Sequence, residues 1–325
     1  MPYYWLSLLP ISIINVKRLP VSTYSRHFSS FLFFVWILFC PQAFCSASPR
    51  YPLIKEVNVT STREQAIAFI DQIKELDPSG YWPNIKPALF LQNLKTNIHE
   101  PLSIYPGNST NFCGYGAFTY LFLQDDPLGY AKLLIQLYKD GKARFSNIDL
   151  NPSPAVQKAA GRLRFKGVLD IHPAEQMWFL TLAGHYKGYL NLFNRKYDPG
   201  DENKFWASCN YAKFNRMVRT LLNFKVKAKG ADLMRPRVND LYEYIRKKIE
   251  TGTVVLFINN RIVHKKNHVT IKLGVPTHFI IAEKISMEND VITLVYWDYG
   301  HRTLMQLSPG FFKRIIFGIT YCTKK

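Results

Sequence analysis

The sequence predicts an α+β fold, with helices gathered in the first part of the mature chain and an antiparallel sheet at its end. Three observations carry that expectation. Capping residues and prolines recur ahead of amphipathic runs as far as residue 252. At Thr253 the texture changes to short β-branched and aromatic runs separated by turns. Helices come first and strands afterwards, an order that packs helices against an antiparallel sheet. With 325 residues, 47% of them hydrophobic, the chain can bury a large core.

Residues 1–47 read as a signal peptide or membrane anchor. Lys17, Arg18 and Arg26 precede "FLFFVWILFC", and "AFCSAS" offers small residues for cleavage near Ala47. The uncharged run from Phe28 to Ala47 is also just long enough to span a bilayer. Either way the expected location is secreted or periplasmic, with anchoring by the N-terminal segment as the alternative. The remaining 48–325 reads as one domain, mostly helical over 48–252 and mostly β over 253–325.

In "STREQAIAFIDQIKELDPSG", Ser61 or Thr62 can cap a helix carrying Ile67, Ile70 and Ile73 as far as Pro78 and Gly80. Residues 80–110 are polar and proline-bearing and read as non-helical. A helix is expected from about Cys113 to Gln124, and Asp126 followed by Pro127 opens a second, making a helical hairpin. "NPSPAVQKAAGRLR" and "HPAEQMWFLTLAGHY" continue the helical pattern. Residues 187–248 hold 15 Lys and Arg against 6 Asp and Glu in amphipathic helical segments, including "NDLYEYIRKKIETG" with Leu241, Ile245 and Ile249 on one face. "TVVLFI", "THFIIAEKI", "VITLVYW", "TLMQL" and "IIFGITY" are the expected strands.

The net charge of +19 favours anionic surroundings, such as a cell-wall polymer or anionic lipid. No segment resembles a nucleic-acid-binding motif, and export argues against that partner. Of five cysteines, Cys113, Cys209 and Cys322 would survive cleavage, enough for one disulfide and a free thiol, expected to be Cys113. No Cys/His grouping has zinc-ligand spacing, so neither metal nor cofactor is expected.

"PGNSTNFCGYGAFTY" places Cys113 where a polar loop turns into an apolar run. At a helix N-terminus, unpaired amides and the dipole favour an anionic nucleophile, and Gly114 and Gly116 would leave room for a substrate carbonyl. The bland alternative is a small buried cysteine. A thiol hydrolase also needs an imidazole and a group to orient it. His278 opens a strand and Asp298 ends the next. If Ser286–Asp290 forms the loop and Ile285 pairs with Val291, His278 lies directly opposite Asp298; a one-residue slip would put them on opposite faces. His264 and His268 read as a basic loop, His301 as a residue that could line a cleft, and His99, His172 and His185 show no recognisable partner. Asn58 and Asn108 head glycosylation sequons that have meaning only in a eukaryotic host.

A cysteine opening a helix, a strand-borne histidine far downstream, and an aspartate twenty residues later resemble the papain-like cysteine peptidase superfamily, especially its secreted bacterial branches. The resemblance covers roughly 105–125 and 270–321. It implies a papain-like α-rich N-terminal lobe beside a β-sheet lobe, with Cys113 as nucleophile, His278 as base and Asp298 as orienter. The substrate it implies is a peptide or other amide. The family usually places a glutamine a few residues before the cysteine as oxyanion donor; here the nearby amides are Asn108 and Asn111, with Asn108 preferred. Transglutaminase-like acyltransferases share the order Cys, His, Asp and form the first alternative. A non-enzymatic exported basic protein that binds an anionic polymer or membrane is the second.

Overall fold

The capping residues do what their chemistry requires. Thr62 accepts from the Gln65 amide while the Gln65 side chain answers the Thr62 N–H, a capping box that opens α1 (Arg63–Asp71). Asp126 accepts from Gly129 N at 2.9 Å and Pro127 fills the first turn of α4 (Pro127–Asp140), which ends at Gly141 with φ +68°. The computed structural model describes residues 59–164, 170–259 and 276–325. The expected leader, Asn58, His264 and His268 lie outside them.

The remaining helices are α2 (Pro87–His99), α3 (Cys113–Asp125), α5 (Pro154–Ala159), α6 (Pro173–His185), α7 (Tyr211–Leu221), α8 (Leu241–Thr251) and α9 (Pro309–Ile315). Strands β1 (Ala143–Phe145) and β2 (Ile148–Leu150) make a small hairpin. The main sheet holds β3 (Phe224–Gly230), β4 (Thr253–Ile258), β5 (His278–Glu288), β6 (Val291–Asp298), β7 (His301–Leu307) and β8 (Ile316–Lys324). Its order is β3-β8-β4-β5-β6-β7 and every pairing is antiparallel. The described residues therefore form an α+β fold, and they belong to one compact unit, Lys55–Lys325.

Alternation along the strands gives the sheet two buried faces. Val255, Phe257, Phe279, Ile281 and Trp297 join the large core built by α1–α7. Val254, Leu256, Ile258, Ile280 and Tyr296 form a second core under α8 and α9. Phe279 stacks on both Phe257 and Phe214 at 4.4 Å, which fixes α7 against the sheet behind the start of β5. Such pairs add about 0.5–1.5 kcal/mol each beyond their buried area.

Several elements differ from the sequence expectation. α1 stops at Asp71, because a proline at 78 biases only its immediate predecessor away from helix and does not fix the boundary. Residues 87–99 are helical, with Phe90, Leu94 and Ile98 buried at a spacing of four behind Pro87. Within the charged stretch, β3 is an edge strand whose Lys225, Lys227 and Lys229 alternate out to solvent; charge on an exposed edge also discourages pairing with a second chain. α9 interrupts the final strands, so β8 crosses back to lie between β3 and β4. Cys113, Cys209 and Cys322 are all free thiols, with no disulfide among them.

The register of β5 and β6 also differs. The strands run on to Glu288 and Val291 around a two-residue turn, Asn289–Asp290, both at positive φ (48° and 57°). That is the turn type whose twist suits a hairpin and whose φ values Asn and Asp tolerate. Ile285 consequently pairs with Leu294, not Val291. Carried unbroken to the sheet's far end, this register would put Asp298 and His278 on opposite faces. A bulge at Glu283 restores the parity: beyond it Ala282 pairs with Tyr296 and Ile281 with Trp297. Asp298 then falls across from Ile280, and His278 is its diagonal neighbour on the same face.

Candidate active site

The loop ahead of α3 is built by its own polar side chains. Thr110 Oγ1 donates to the Pro106 carbonyl at 2.5 Å and accepts from the Phe112 N–H at 3.2 Å. Asn111 anchors the loop sideways: its N–H donates to the Glu202 carbonyl at 2.8 Å and its Nδ2 to the Lys204 carbonyl at 2.9 Å. Phe112 caps α3 without a side-chain hydrogen bond, so the first-turn amides of Cys113 and its successors are not spent on the cap. Gly114 and Gly116 serve close packing here, not substrate access. A Cβ at Gly114 would lie 2.8 Å from Cys209 Sγ, and one at Gly116 would lie 3.2 Å from the Pro106 ring.

Cys113, His278 and Asp298 are brought together at the end of the sheet where β5 begins and β6 finishes. All are buried, at 8%, 1% and 3% exposure. His278 Nε2 lies 2.5 Å from Asp298 Oδ1. The Cys113 sulfur is 3.4 Å from the Thr277 carbonyl and interacts electrostatically with the His278 ring. Asp298 engages Nε2, which makes Nδ1 the ring's other proton-exchanging nitrogen. Burial works against an imidazolium, but the Asp298 carboxylate, by charge and by hydrogen bond, and the Cys113 sulfur outweigh it and raise the His278 pKa to about 10.

Around this trio the structure supplies contacts that no sequence motif announced. Tyr299 stacks on His278 with ring centroids 4.6 Å apart and planes 24° from parallel. It sits in a two-residue turn with Gly300, both at positive φ, and that turn packs on the backbone of Ser103 and Ile104. Trp297 Nε1 donates to the Leu102 carbonyl at 3.1 Å, fastening the end of β6 to the segment leading into the cysteine loop. Glu283, the bulge residue, bonds the Tyr120 hydroxyl and Arg302, so the bulge is tied to both α3 and β7.

The other sequence candidates lie elsewhere. Asn111 has spent its amide on Lys204 and Ser208, and Asn108 is exposed. His301 is exposed opposite Asp298 in the ladder, and His99 is exposed on α2. His172 does have a partner, the buried Glu175 at 3.4 Å. Burial pushes the thiols of Cys209 and Cys322 up to about 12, which leaves both poor nucleophiles. Comparison with family models, curated proteins and solved structures finds no match to this chain.

Proposed function

We propose that the protein is an exported papain-like thiol hydrolase that cleaves an amide bond with Cys113, His278 and Asp298. The observation that carries this reading is the buried imidazole held between a carboxylate at 2.5 Å and a cysteine sulfur at the start of a helix. The thiol proton resides on His278 as an imidazolium that Asp298 stabilises, which leaves the Cys113 sulfur as the anionic nucleophile. The sulfur attacks the substrate carbonyl, and the developing oxyanion meets the Cys113 N–H. His278 returns its proton to the leaving amine, and water then hydrolyses the thioester by the reverse sequence.

The test is turnover of a peptide library and of amide-linked wall fragments by the purified chain, with Cys113→Ala as control. Cleavage that disappears in the variant supports the reading; cleavage that survives it sinks it. A free-amine acceptor added to the same assay separates hydrolysis from acyl transfer, because only a transferase forms the new amide in preference to the acid.

A further inference from the structure

Two neighbouring loops carry apolar side chains that project into solvent. Phe193 is 95% exposed, Leu233 76% and Met234 66%. Exposure that complete describes tips, not pocket walls. The loops beneath them are braced. Asn191 Nδ2 donates to the Phe205 and Trp206 carbonyls, and Lys213 Nζ donates to Asn191 and to the Ser208 carbonyl. The Asp232 carboxylate, one residue before Leu233, accepts from Tyr211 N at 2.8 Å and Asn210 Nδ2 at 3.4 Å and bonds the Tyr189 hydroxyl. Tyr189 opens the turn that leads to Phe193, so one carboxylate ties both loops together.

The surroundings of the tips are cationic. Arg195, Lys196, Arg235 and Arg237 are exposed beside them, and Arg235 Nε donates to the carbonyl of the exposed Arg314. Four carboxylates occur between 187 and 237. Asp201 and Glu202 are buried and Asp232 is engaged within the loops, which leaves Asp198 as the exposed one. Bare apolar tips ringed by cations match a surface that is anionic outside and apolar just beneath.

We propose that this face docks on an anionic lipid bilayer, with Phe193, Leu233 and Met234 entering the boundary between headgroups and acyl chains and the neighbouring arginines and lysine meeting lipid phosphates. A soluble polyanion would satisfy the cations but would gain nothing from the three tips. Docking requires only this surface and is independent of the hydrolase reading. It has a spatial consequence for it, however. Gly230 pairs with Gly318 near the end of the sheet at which Ile258 pairs with His278, so the 231–237 loop leaves the sheet at the triad's end. Asn111, two residues before Cys113, is bonded to the 202–208 segment, which carries the exposed Phe205. The bilayer would therefore lie beside the cysteine.

Hydrogen exchange by mass spectrometry on the full chain tests this locally, so that binding by any other segment is read separately. Vesicles of phosphatidylcholine containing a quarter phosphatidylglycerol should slow exchange several-fold in 189–196 and 231–238, and vesicles of phosphatidylcholine alone should not. The combined variant Phe193→Ser, Leu233→Ser, Met234→Ser, which alters only exposed side chains, should lose that protection while keeping its thermal melt. High salt should weaken the wild-type effect. Unchanged exchange in both segments, equal protection by neutral vesicles, or full protection in the triple variant would each overturn the proposal. So would equal protection by soluble polyphosphate that the triple variant retains, which would assign the face to a polymer.

Discussion

Strand β6 runs between two turns of the same length and opposite purpose. At its start, Asn289 and Asp290 take φ values of 48° and 57° in an exposed hairpin; at its end, Tyr299 and Gly300 take 43° and 81° beside the buried His278. Asn and Asp enter the left-handed region cheaply, because their short polar side chains bond locally. Tyrosine has no such compensation and costs roughly 1–2 kcal/mol there. The far turn is what local propensity would choose. The near turn is held against propensity, and the contact that accompanies it is the stack on the buried His278 ring. Strain of this kind gathers where surrounding structure over-determines a geometry.

Predictions follow from treating the near end as machinery and the far end as connection. Cys113→Ala and His278→Ala should each lower amide cleavage by at least about 10³-fold, and the double variant should be no worse, since members of one unit are not additive. Replacing Asn289 and Asp290 with Gly-Gly should leave turnover unchanged in the same assay. Asp298→Ala should lower turnover by about 10²-fold without abolishing it, because the carboxylate orients the ring and stabilises its charge but takes no proton. Thermal melts of each variant check that the loss is not unfolding.

Tyr299→Gly sharpens the comparison at smaller amplitude. It removes left-handed strain and stacking together, so stability should change by less than about 1 kcal/mol while turnover falls. Tyr299→Phe should retain turnover, since it keeps the ring that stacks on His278. If Tyr299→Gly and Asn289→Gly behave alike in turnover, the two ends of β6 are equivalent and the distinction fails.

The smallest effect is on stability against pH. His278 has its pKa raised from 6.5 to about 10, so its contribution is fully present below about 6.5 and is lost as pH rises through about 10. Urea midpoints should fall across that window in the wild type. In Asp298→Asn the fall should flatten, because burial then acts on the ring without the opposing carboxylate.

Much of the chain was legible where a local signal and the tertiary outcome agree. The caps at Thr62 and Asp126 and the β texture after Thr253 are of this kind. The helix at 87–99 carried a readable signal too, Pro87 followed by Phe90, Leu94 and Ile98, but the surrounding polar and proline-bearing sequence masked it. Strand β3 is hidden in the sequence because alternating lysines on an exposed edge look like a charged helix face when only composition is counted. The residues at the site were legible as types and order, whereas their pairing was not. An assumed five-residue loop gave the right facing for the wrong register, since the tight turn and the bulge at Glu283 compensate each other. A bulge leaves no local mark in sequence; nor does the stack of Tyr299 on His278, which is a contact made by folding.

The central claim is that His278 acts directly on the Cys113 sulfur, and competitive alkylation of the full chain with a mild thiol electrophile tests it most directly. At pH 6, peptide mapping should show Cys113 modified ahead of Cys209 and Cys322, whose thiols burial pushes up to about 12, and His278→Ala should remove that preference while the protein stays folded. Modification of Cys209 or Cys322 first, or a Cys113 rate that His278→Ala leaves unchanged, would contradict the account.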